Sequence, residues 1–405
     1  MGMPTYFYTA VSPAGEQISG TETAESEREL AHILHGKGYI LTTGRSQGSK
    51  KRFSVLGGFF GVRAVDKLLF VRNLQVMISA AVSLPKALNV LSEQTQSRRF
   101  GEVLADIRKK VMGGQSMSQA MEAHPAVFPE LFTSMIKVGE ESGTMEDVLS
   151  HLTLQLERQH ELFSKIQGAL LYPAVIVTAM IGIGILMLIM VIPKLASTFE
   201  EFGLDLPLTT RAVIGLSAFL SQRWYVALPG FILFLVLSWR ALKTKTGKRT
   251  INTLELKIPI VSGIVRKTNS ALMTRTLSSL IVAGVPIVRA LEITSQVVGN
   301  IYFRESLTLC AQQVAKGLKV SQALRPYEGI YPPMVIQMVE VGEETGKTSE
   351  VLGKLAEFFE EEVANVTKNL TSIIEPILML VIGTVVGFFA ISMIQPMYSM
   401  LSAIK

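Results

Sequence analysis

An internal tandem repeat constrains this chain more than any other feature of its sequence. Val138–Gly143 reads Val-Gly-Glu-Glu-Ser-Gly, and Val341–Gly346 repeats it 203 positions later with Thr in place of Ser. The offset runs without a gap over about residues 70–193 and 273–396. Other residues matched at this offset are Arg72 and Arg275, Ser118–Ala120 and Ser321–Ala323, Pro129 and Pro332, Pro173 and Pro376, and Pro193 and Pro396. So long a register indicates a duplicated unit that the fold must use twice.

The composition indicates a membrane protein with sizeable soluble parts. Hydrophobic residues make up 48% of the 405 residues and charged residues 18%, and the mean hydropathy is +0.37, which is too apolar for an ordinary soluble protein. The single Cys310 excludes an internal disulfide framework and a cysteine-based zinc site. A net charge of +6 suits the cytoplasmic flanks of membrane helices and does not by itself indicate nucleic acid binding. The first residues lack the pattern of a signal peptide, so we expect the N-terminus in the cytoplasm.

The soluble segments predict one small module and two helical bundles. Aromatic, turn-forming and then helically spaced residues at 1–43 predict a small α/β module, followed by a Gly-, Ser- and Lys-rich linker at 44–65. Apolar residues at helical spacing, interrupted by Gly and Pro, predict cytoplasmic bundles at 66–170 and 270–373. The fold class is therefore a mainly α membrane protein with two tandem bundles, each leading into a transmembrane helix.

Three apolar stretches predict membrane spans. The 20 uncharged residues Pro173–Ile192 would extend about 30 Å as a helix, which matches a bilayer core. The spans are expected at residues 171–193, 214–240 and 374–397. The second is short between Trp224 and Trp239 and is expected to borrow residues from 212–222. The remaining segments are an extracytoplasmic loop at 194–213, a basic cytoplasmic linker at 241–269 and an extracytoplasmic tail at 398–405.

The repeated Gly-Glu motif is the main candidate site. Its residues are Gly139, Glu140, Ser142 and Gly143, with Gly342, Glu343, Thr345 and Gly346 in the second copy. The glycines bracket a helix–helix turn, Ser142 or Thr345 can cap there, Thr144 is a plausible N-cap of the next helix, and a motif acid in each copy can pair with Arg72 or Arg275. We interpret the motif as a structural turn or a partner contact, and the sequence does not choose between the two. Catalysis is disfavoured because no substrate pocket accompanies the carboxylates, and divalent cation binding stays open.

No residue set predicts catalysis or a cofactor. Gly342–Thr348 resembles a phosphate-binding loop but has three rather than four residues between its first Gly and the Gly-Lys-Thr. The five histidines form no set of metal ligands. We therefore expect no enzyme, no cofactor and no metal site.

Several residues at the membrane segments are candidates for a structural role. Pro173 and Pro376 are either simple helix starts or joints between bundle and membrane helix. Glu375 is expected at the interface because a carboxylate is costly in lipid. Gly383 and Gly387 form a Gly-x-x-x-Gly pattern that permits close helix approach, either between protomers or within the chain.

The duplicated Val-Gly-Glu-x-Ser/Thr-Gly, the helix–Pro–transmembrane unit and the opening Tyr6–Ala10 with Pro13–Glu16 resemble one family. It is the type II secretion system F family (GspF/PilC type), the inner-membrane platform proteins of type II secretion systems and type IV pili. The resemblance implies a non-enzymatic, multi-pass inner-membrane protein with cytoplasmic N-terminus and bundles and an extracytoplasmic C-terminus. It implies a cytoplasmic assembly ATPase, pilins or pseudopilins, other inner-membrane assembly proteins and lipid as partners, in a homo-oligomer without nucleic acid. By the same analogy, the Gly-Glu turns and the N-terminal module are candidate contacts.

A small-repeat membrane transporter or channel subunit with parallel repeats is the alternative function. It requires broken helices and polar residues at membrane depth. An open polar cavity between the spans would favour it, and an apolar, charge-poor cleft would favour the platform.

Overall fold

The computed structural model describes residues 5–11, 17–24, 27–46, 61–194, 197 and 208–403. The chain divides into two compact units, Met1–Arg63 and Ala64–Lys405. Most of the expected linker at 44–65 and of the expected loop at 194–213 lies outside the described residues.

The described part of the first unit consists of three strands and one helix. In chain order they are β1 (Thr5–Val11), β2 (Gln17–Thr23), α1 (Glu27–Gly36) and β3 (Ile40–Ser46). The strands form an antiparallel sheet of order β2-β1-β3. Leu30 and Leu34 lie one helical turn apart, so both point to the same side of α1 and are buried with Ala24.

The first bundle contains six helices, and the last of them continues far beyond the bundle. They are α2 (Ala64–Ser79), α3 (Leu84–Gln94), α4 (Arg98–Met112), α5 (Met117–Glu122), α6 (Glu130–Ser142) and α7 (Met145–Leu186). The Ser97 hydroxyl accepts the Phe100 N–H and caps α4. The Phe100 ring packs against Phe70 and Phe128 with centroids 5.6 and 6.1 Å apart, so apolar residues from three segments close one core.

A region without a repeat counterpart leads to the second bundle. It contains α8 (Leu208–Gln222), α9 (Trp224–Lys243) and α10 (Lys245–Lys257). The second bundle contains α11 (Pro259–Val282), α12 (Ile287–Val297), α13 (Ile301–Val314), α14 (Val320–Leu324), α15 (Pro333–Thr345) and α16 (Thr348–Ala403).

The helices of the two bundles follow the offset of the sequence repeat. α12 and α15 begin and end at the positions equivalent to α3 and α6, and α16 begins at the position equivalent to the start of α7. Asn300, equivalent to Ser97, also caps its helix by accepting the Tyr302 N–H. Phe303 and Tyr331, with ring centroids 4.8 Å apart, repeat the Phe100–Phe128 contact. The same sequence pattern therefore builds the same core twice, and the predicted duplication is confirmed.

Three helices are long and apolar enough to cross a membrane, which confirms the predicted mainly α membrane fold. They are Met145–Lys194, Tyr225–Lys243 and Thr348–Ile391. The first continues α7 through a π-helical turn at Met187–Val191. Each of the two long helices begins in its bundle and continues into its apolar span without leaving helical geometry at the junction.

One expectation about the middle region differs from the structure, and a second segment gains detail from it. The span does not borrow residues from 212–222, because the chain leaves helical geometry at Arg223 (φ −116°, ψ 32°), between α8 and α9. The basic segment expected at 241–269, for which no secondary structure was predicted, contains α10 and the beginning of α11. The Thr244 hydroxyl accepts the Gly247 N–H at 3.0 Å and caps α10, so its basic residues lie on a defined helix.

Candidate functional site

The repeated Gly-Glu motif forms the turn of a helical hairpin in each bundle. α6 ends at Ser142, Gly143 has φ 73°, and α7 begins at Met145. Gly346, with φ 69°, has the same place between α15 and α16. A side chain disfavours this left-handed conformation because its Cβ crowds the backbone, which explains a glycine in both copies.

The first glycine of each motif lies at a close approach of the two hairpin helices. A Cβ on Gly139 would lie 3.2 Å from both Met145 Cα and Val148 Cβ. A Cβ on Gly342 would lie 3.0 Å from Thr348 Cα. Only a hydrogen atom fits these positions without moving the neighbouring helix, so the glycines set the hairpin spacing.

Glu140 braces a short helix that lies elsewhere in its bundle. Its carboxylate accepts hydrogen bonds from the N–H groups of Met117 (2.5 Å) and Ser118 (3.0 Å) and from the Ser118 hydroxyl (2.5 Å). The first N–H groups of a helix have no partner inside that helix. Glu140 therefore satisfies the N-terminus of α5 from α6.

Glu343 repeats this arrangement in the second bundle. It accepts hydrogen bonds from the N–H groups of Val320 (2.6 Å) and Ser321 (3.0 Å) and from the Ser321 hydroxyl (2.5 Å). The Ser-Gln-Ala tripeptide and the motif Glu are thus the two sides of one contact, which explains why both recur at the same offset. The second acid of each motif differs, because Glu141 and Glu344 are exposed.

The expected capping roles of the motif hydroxyls are wrong. Ser142 Oγ donates to the Val138 carbonyl at 2.6 Å, and Thr345 Oγ1 donates to the Val341 carbonyl at 2.7 Å. Thr144 precedes α7 but makes no side-chain capping hydrogen bond. Each motif hydroxyl therefore bonds back within its own helix, and the left-handed glycine ends that helix.

Arg72 and Arg275 pair with acids outside the motif, so the expected pairing is corrected. Arg275 binds Glu360 through two hydrogen bonds of 2.8 Å, and the equivalent Arg72 lies 3.6 Å from Glu157. The side chains are 9% and 15% exposed in the first pair but 63% and 41% exposed in the second. The same ion pair is therefore buried in the second bundle and solvated in the first.

The two bundles contact each other through polar residues that the sequence did not single out. The buried Gln155 amide donates to Thr276 Oγ1 at 3.0 Å and accepts from Ser279 Oγ at 3.1 Å. Glu130 accepts a hydrogen bond from Gln296 at 2.5 Å and pairs with Arg289. Gln155 and Glu130 are positions at which the two copies differ, and this difference is the signal that could have revealed the contact.

A cleft of about 480 Å³ between α7 and α16 is lined by charged side chains. Glu161 lies 2.8 Å from Lys165 and 3.4 Å from Arg158. The hydrogen bond from Lys165 is the main cause of a lowered pKa of Glu161, and Arg158 adds to it. Glu360, also at this cleft, is held by Arg275. The described residues contain no group of His, Cys, Asp and Glu arranged to hold a metal ion.

A second cleft of about 540 Å³ separates the first bundle from α12. Leu131, Leu156 and Phe163 line it on one side and Ile293 and Gln296 on the other. It lies beside the Glu130 contact and is more apolar than the first cleft.

Cys310 is the single thiol of the chain and lies beneath the Glu343 brace. Its sulfur lies 3.9 Å from the Val320 carbonyl oxygen. Burial is the main cause that raises the pKa of this thiol to about 12, and the Glu343 charge adds to it. The folded protein therefore keeps this cysteine protonated and unreactive.

Pro173 lies inside a continuous α7, so it is not a helix start. Pro376 likewise lies within α16, next to an exposed Glu375. A Cβ on Gly383 or Gly387 would meet nothing within 4 Å. The described part of the chain therefore does not use these two glycines for a close internal contact.

Comparison with known proteins follows the same division of the chain. The family model "Type II secretion system (T2SS), protein F" matches residues 70–193 and 273–396. The model "Type II secretion system protein F, N-terminal domain" matches residues 3–43. One family model therefore matches both copies of the repeat, and a separate model matches the N-terminal segment.

Curated relatives span nearly the whole chain. Type IV pilus assembly protein PilC of Thermus thermophilus is 32% identical over 408 residues, with 100% of each chain covered. PilC of Pseudomonas aeruginosa is 34% identical over 353 residues, covering 87% of this chain and 94% of the relative. Type II secretion system protein F of Pseudomonas aeruginosa is 29% identical over 402 residues, covering 98% and 99%. With its duplicated bundles, its three apolar helices and these matches, the chain belongs to the type II secretion system protein F family.

Proposed function

We propose that this chain is the inner-membrane platform that couples a cytoplasmic assembly ATPase to the extraction and polymerisation of pilins or pseudopilins. The observation that carries this proposal is the continuity of α7 and α16 from bundle to span. An unbroken helix transmits a displacement along its axis, whereas a loop would absorb it. From Met145 to Pro173, α7 extends about 40 Å at 1.5 Å per residue, which is long enough to hold the ATPase contact well away from lipid.

The contact between the bundles supports their movement as one body. The Gln155, Glu130 and Arg275 side chains all have partners on other helices, and two of these contacts cross between bundles. The buried Gln155 contact favours a unique arrangement, because Gln155, Thr276 and Ser279 lose their partners if the bundles slide. A force on either bundle would therefore reach both membrane helices.

The hairpin tips are the candidate ATPase contacts. Glu140 and Glu343 are occupied inside the bundles, but the adjacent Glu141 and Glu344 are exposed at the ends of α6 and α15. These ends lie at the start of the long helices, opposite the spans. A cytoplasmic position of both bundles is supported by the basic residues that follow α9 and the even number of spans between the copies.

The alternative transporter function has less support. The most apolar stretches of the three candidate spans are almost entirely exposed on the surface of the single chain. The described spans of a single chain therefore bury little surface against one another, and the two clefts described above lie at bundle level.

The test uses the full-length chain in lipid nanodiscs with the ATPase of its own system. We expect specific binding and a change in ATP hydrolysis rate that an empty nanodisc does not cause. A Glu141→Lys, Glu344→Lys variant should weaken binding, because it reverses two exposed charges at the hairpin tips and leaves the braces intact. A Glu102→Lys variant, with the change at an exposed site on α4, is the control. No binding and no rate change with the wild-type chain would contradict the platform function.

A further inference from the structure

The two bundles contact each other through different faces of the repeated fold. The first bundle contributes a front face: Val138 and Gln155 make the contact, and Leu131 lies two turns before Val138 on the same side of α6. The second contributes a back face of α11: Thr276 and Ser279 make the contact, and Leu272 lies one turn before Thr276 on the same side. Gln155 binds Thr276 and Ser279, and Val138 Cγ1 lies 3.6 Å from the place of a Cβ on Gly284 at the end of α11. Because the two contributing faces are not equivalent, the contact is of the head-to-tail type.

A head-to-tail contact between two copies leaves one of each face unused. The free front face, on the second bundle, consists of Met334, Val341 and Phe358, at the positions equivalent to Leu131, Val138 and Gln155. The free back face, on the first bundle, consists of Leu69, Asn73 and Val76, at the positions equivalent to Leu272, Thr276 and Ser279. Phe358 is 41% exposed and Val76 62% exposed, whereas Gln155 and Ser279 are buried. Equivalent positions are therefore buried where the neighbouring bundle covers them and exposed where it does not.

The two free faces match each other in chemistry. Inside the chain, a polar Gln155 meets a polar Ser279. On the free faces, Phe358 is at the position of Gln155 and Val76 is at that of Ser279, so this pair of positions has changed from polar to apolar on both sides. Asn73, at the position of Thr276, is polar and exposed. Packing the Phe358 ring against Val76 would bury apolar surface on both sides, which is favourable, and the contact must leave Asn73 hydrated at its edge.

The two repeats lie side by side at the same level along their long helices. Arg158 and Glu361 are equivalent residues, each 15 positions before its proline, Pro173 or Pro376, and both line the cleft between α7 and α16. Both helices run from the bundle into the same membrane. A further bundle added by the same step would therefore also direct its helix into that membrane.

Lipid does not fit as the occupant of the free back face. The Ser79 hydroxyl at the end of α2 donates to Glu146 at 2.6 Å, at the very start of α7. Val76 lies one turn before Ser79, so it is near the end of the bundle that is about 40 Å from Pro173 along the helix. A protein surface therefore suits this position better than lipid does.

We propose that a second copy of this chain covers the free back face. Met334, Val341 and Phe358 of one molecule dock on Leu69, Asn73 and Val76 of the next and repeat the contact that already joins the two bundles. The result is a head-to-tail homo-oligomer with all spans in one membrane. The Glu130–Arg289 pair has no counterpart in this contact, because Pro333 and Lys86 occupy the equivalent positions, so Lys86 stays solvated at the rim.

Disulfide cross-linking in native membranes tests the proposal. In a Cys310→Ser background, two differently tagged chains are co-expressed, one with Val76→Cys and the other with Phe358→Cys. We expect a covalent dimer carrying both tags. A chain with Gln155→Cys and Ser279→Cys, which tests the internal contact, is the positive control and should close a disulfide within one molecule. Met112→Cys, on exposed α4, replaces Val76→Cys in the negative control.

Formation of the two-tag dimer at least tenfold above the Met112→Cys control supports the proposal. Dimer at the control level while the internal disulfide forms would overturn it. A disulfide between Val76→Cys and a cysteine placed in the N-terminal module of the same chain, at the expense of the dimer, would also overturn it.

A charge substitution provides an independent measurement. Val76→Glu places a carboxylate in the proposed contact, and Met112→Glu is a matched change at a similarly exposed site. Val76→Glu should shift the mass of the detergent-solubilised protein from oligomer to monomer, and Met112→Glu should not. Equal masses for both variants would contradict the proposed contact.

Discussion

Replacing Glu343 by Ala removes the brace between α15 and α14. The carboxylate accepts three hydrogen bonds, two of them from backbone N–H groups that have no partner within α14. Val320 and Ser321, which carry these groups, are buried. The Ser321 hydroxyl can rotate to a new acceptor, but the two N–H groups cannot.

The expected cost follows from these two groups. A buried donor left without a partner costs about 1–3 kcal/mol, so the two together cost about 3 kcal/mol after partial hydration. That energy corresponds to an increase of about a hundredfold in the population in which α14 has separated from α15. Glu343→Gln keeps an acceptor oxygen, so its population of the opened state should lie between those of the wild type and of Glu343→Ala.

Cys310 reports this opening because it lies directly beneath α14 and is the single thiol of the chain. Labelling with a maleimide requires exposure of the thiol, whose pKa is raised to about 12 by burial in the folded state. In full-length protein in detergent, Glu343→Ala should increase the labelling rate about a hundredfold under conditions where labelling follows local opening. Global unfolding, which is difficult to measure for a membrane protein, is not needed.

The adjacent Glu344→Ala is the matched control. Glu344 is exposed and has the same side chain, so its loss should change the labelling rate by less than about threefold, as an ordinary surface substitution does. Equal labelling rates for Glu343→Ala and Glu344→Ala would refute the bracing role of the motif.

Two further predictions concern positions at which the repeats differ. Arg275→Ala leaves the buried Glu360 unpaired and should destabilise the protein by about 3 kcal/mol. Arg72→Ala, at the exposed pair, should cost less than about 1 kcal/mol. Equal decreases in thermal midpoint for the two variants would contradict this prediction. Ala81 has φ 56°, and its equivalent Gly284 has φ 87°. Ala81→Gly should therefore raise the thermal midpoint in detergent by about 2 °C and Gly284→Ala should lower it; a decrease with Ala81→Gly would show that its backbone is not strained.

The sequence predicted the parts of the fold that depend on local pattern. The repeat, the apolar spans and the glycine-bracketed hairpins follow from offset, hydropathy and the conformational freedom of Gly143 and Gly346. The span near Trp224 was misjudged because α8 and α9 are both apolar and only Arg223 separates them.

Contacts across the bundle were predicted poorly because spacing alone does not reveal which surfaces meet. Glu140 finds its partner Ser118 22 residues earlier, and no local rule joins them. The repeat nevertheless carried usable signals: Glu157 and Glu360 share the offset of Arg72 and Arg275, as Ser118 and Ser321 share that of the motif acids. Residues that recur together in both copies were partners. A position at which the copies differ, such as Gln155 in the first and Phe358 in the second, marks the surface where the bundles meet.

The central claim is that α16 and α7 transmit motion from the bundles to the membrane as unbroken helices. The most direct test changes the stiffness of α16 between bundle and span without changing its length. Lys368, Asn369 and Ser372 are exposed on this segment, and their replacement by Gly rather than Ala should weaken the helix there by about 3 kcal/mol in total. In cells that lack the native copy, the triple-Ala chain should support filament assembly or secretion, and the triple-Gly chain should bind the ATPase normally but reduce assembly at least tenfold. Assembly at the same level with both chains would contradict transmission through this helix.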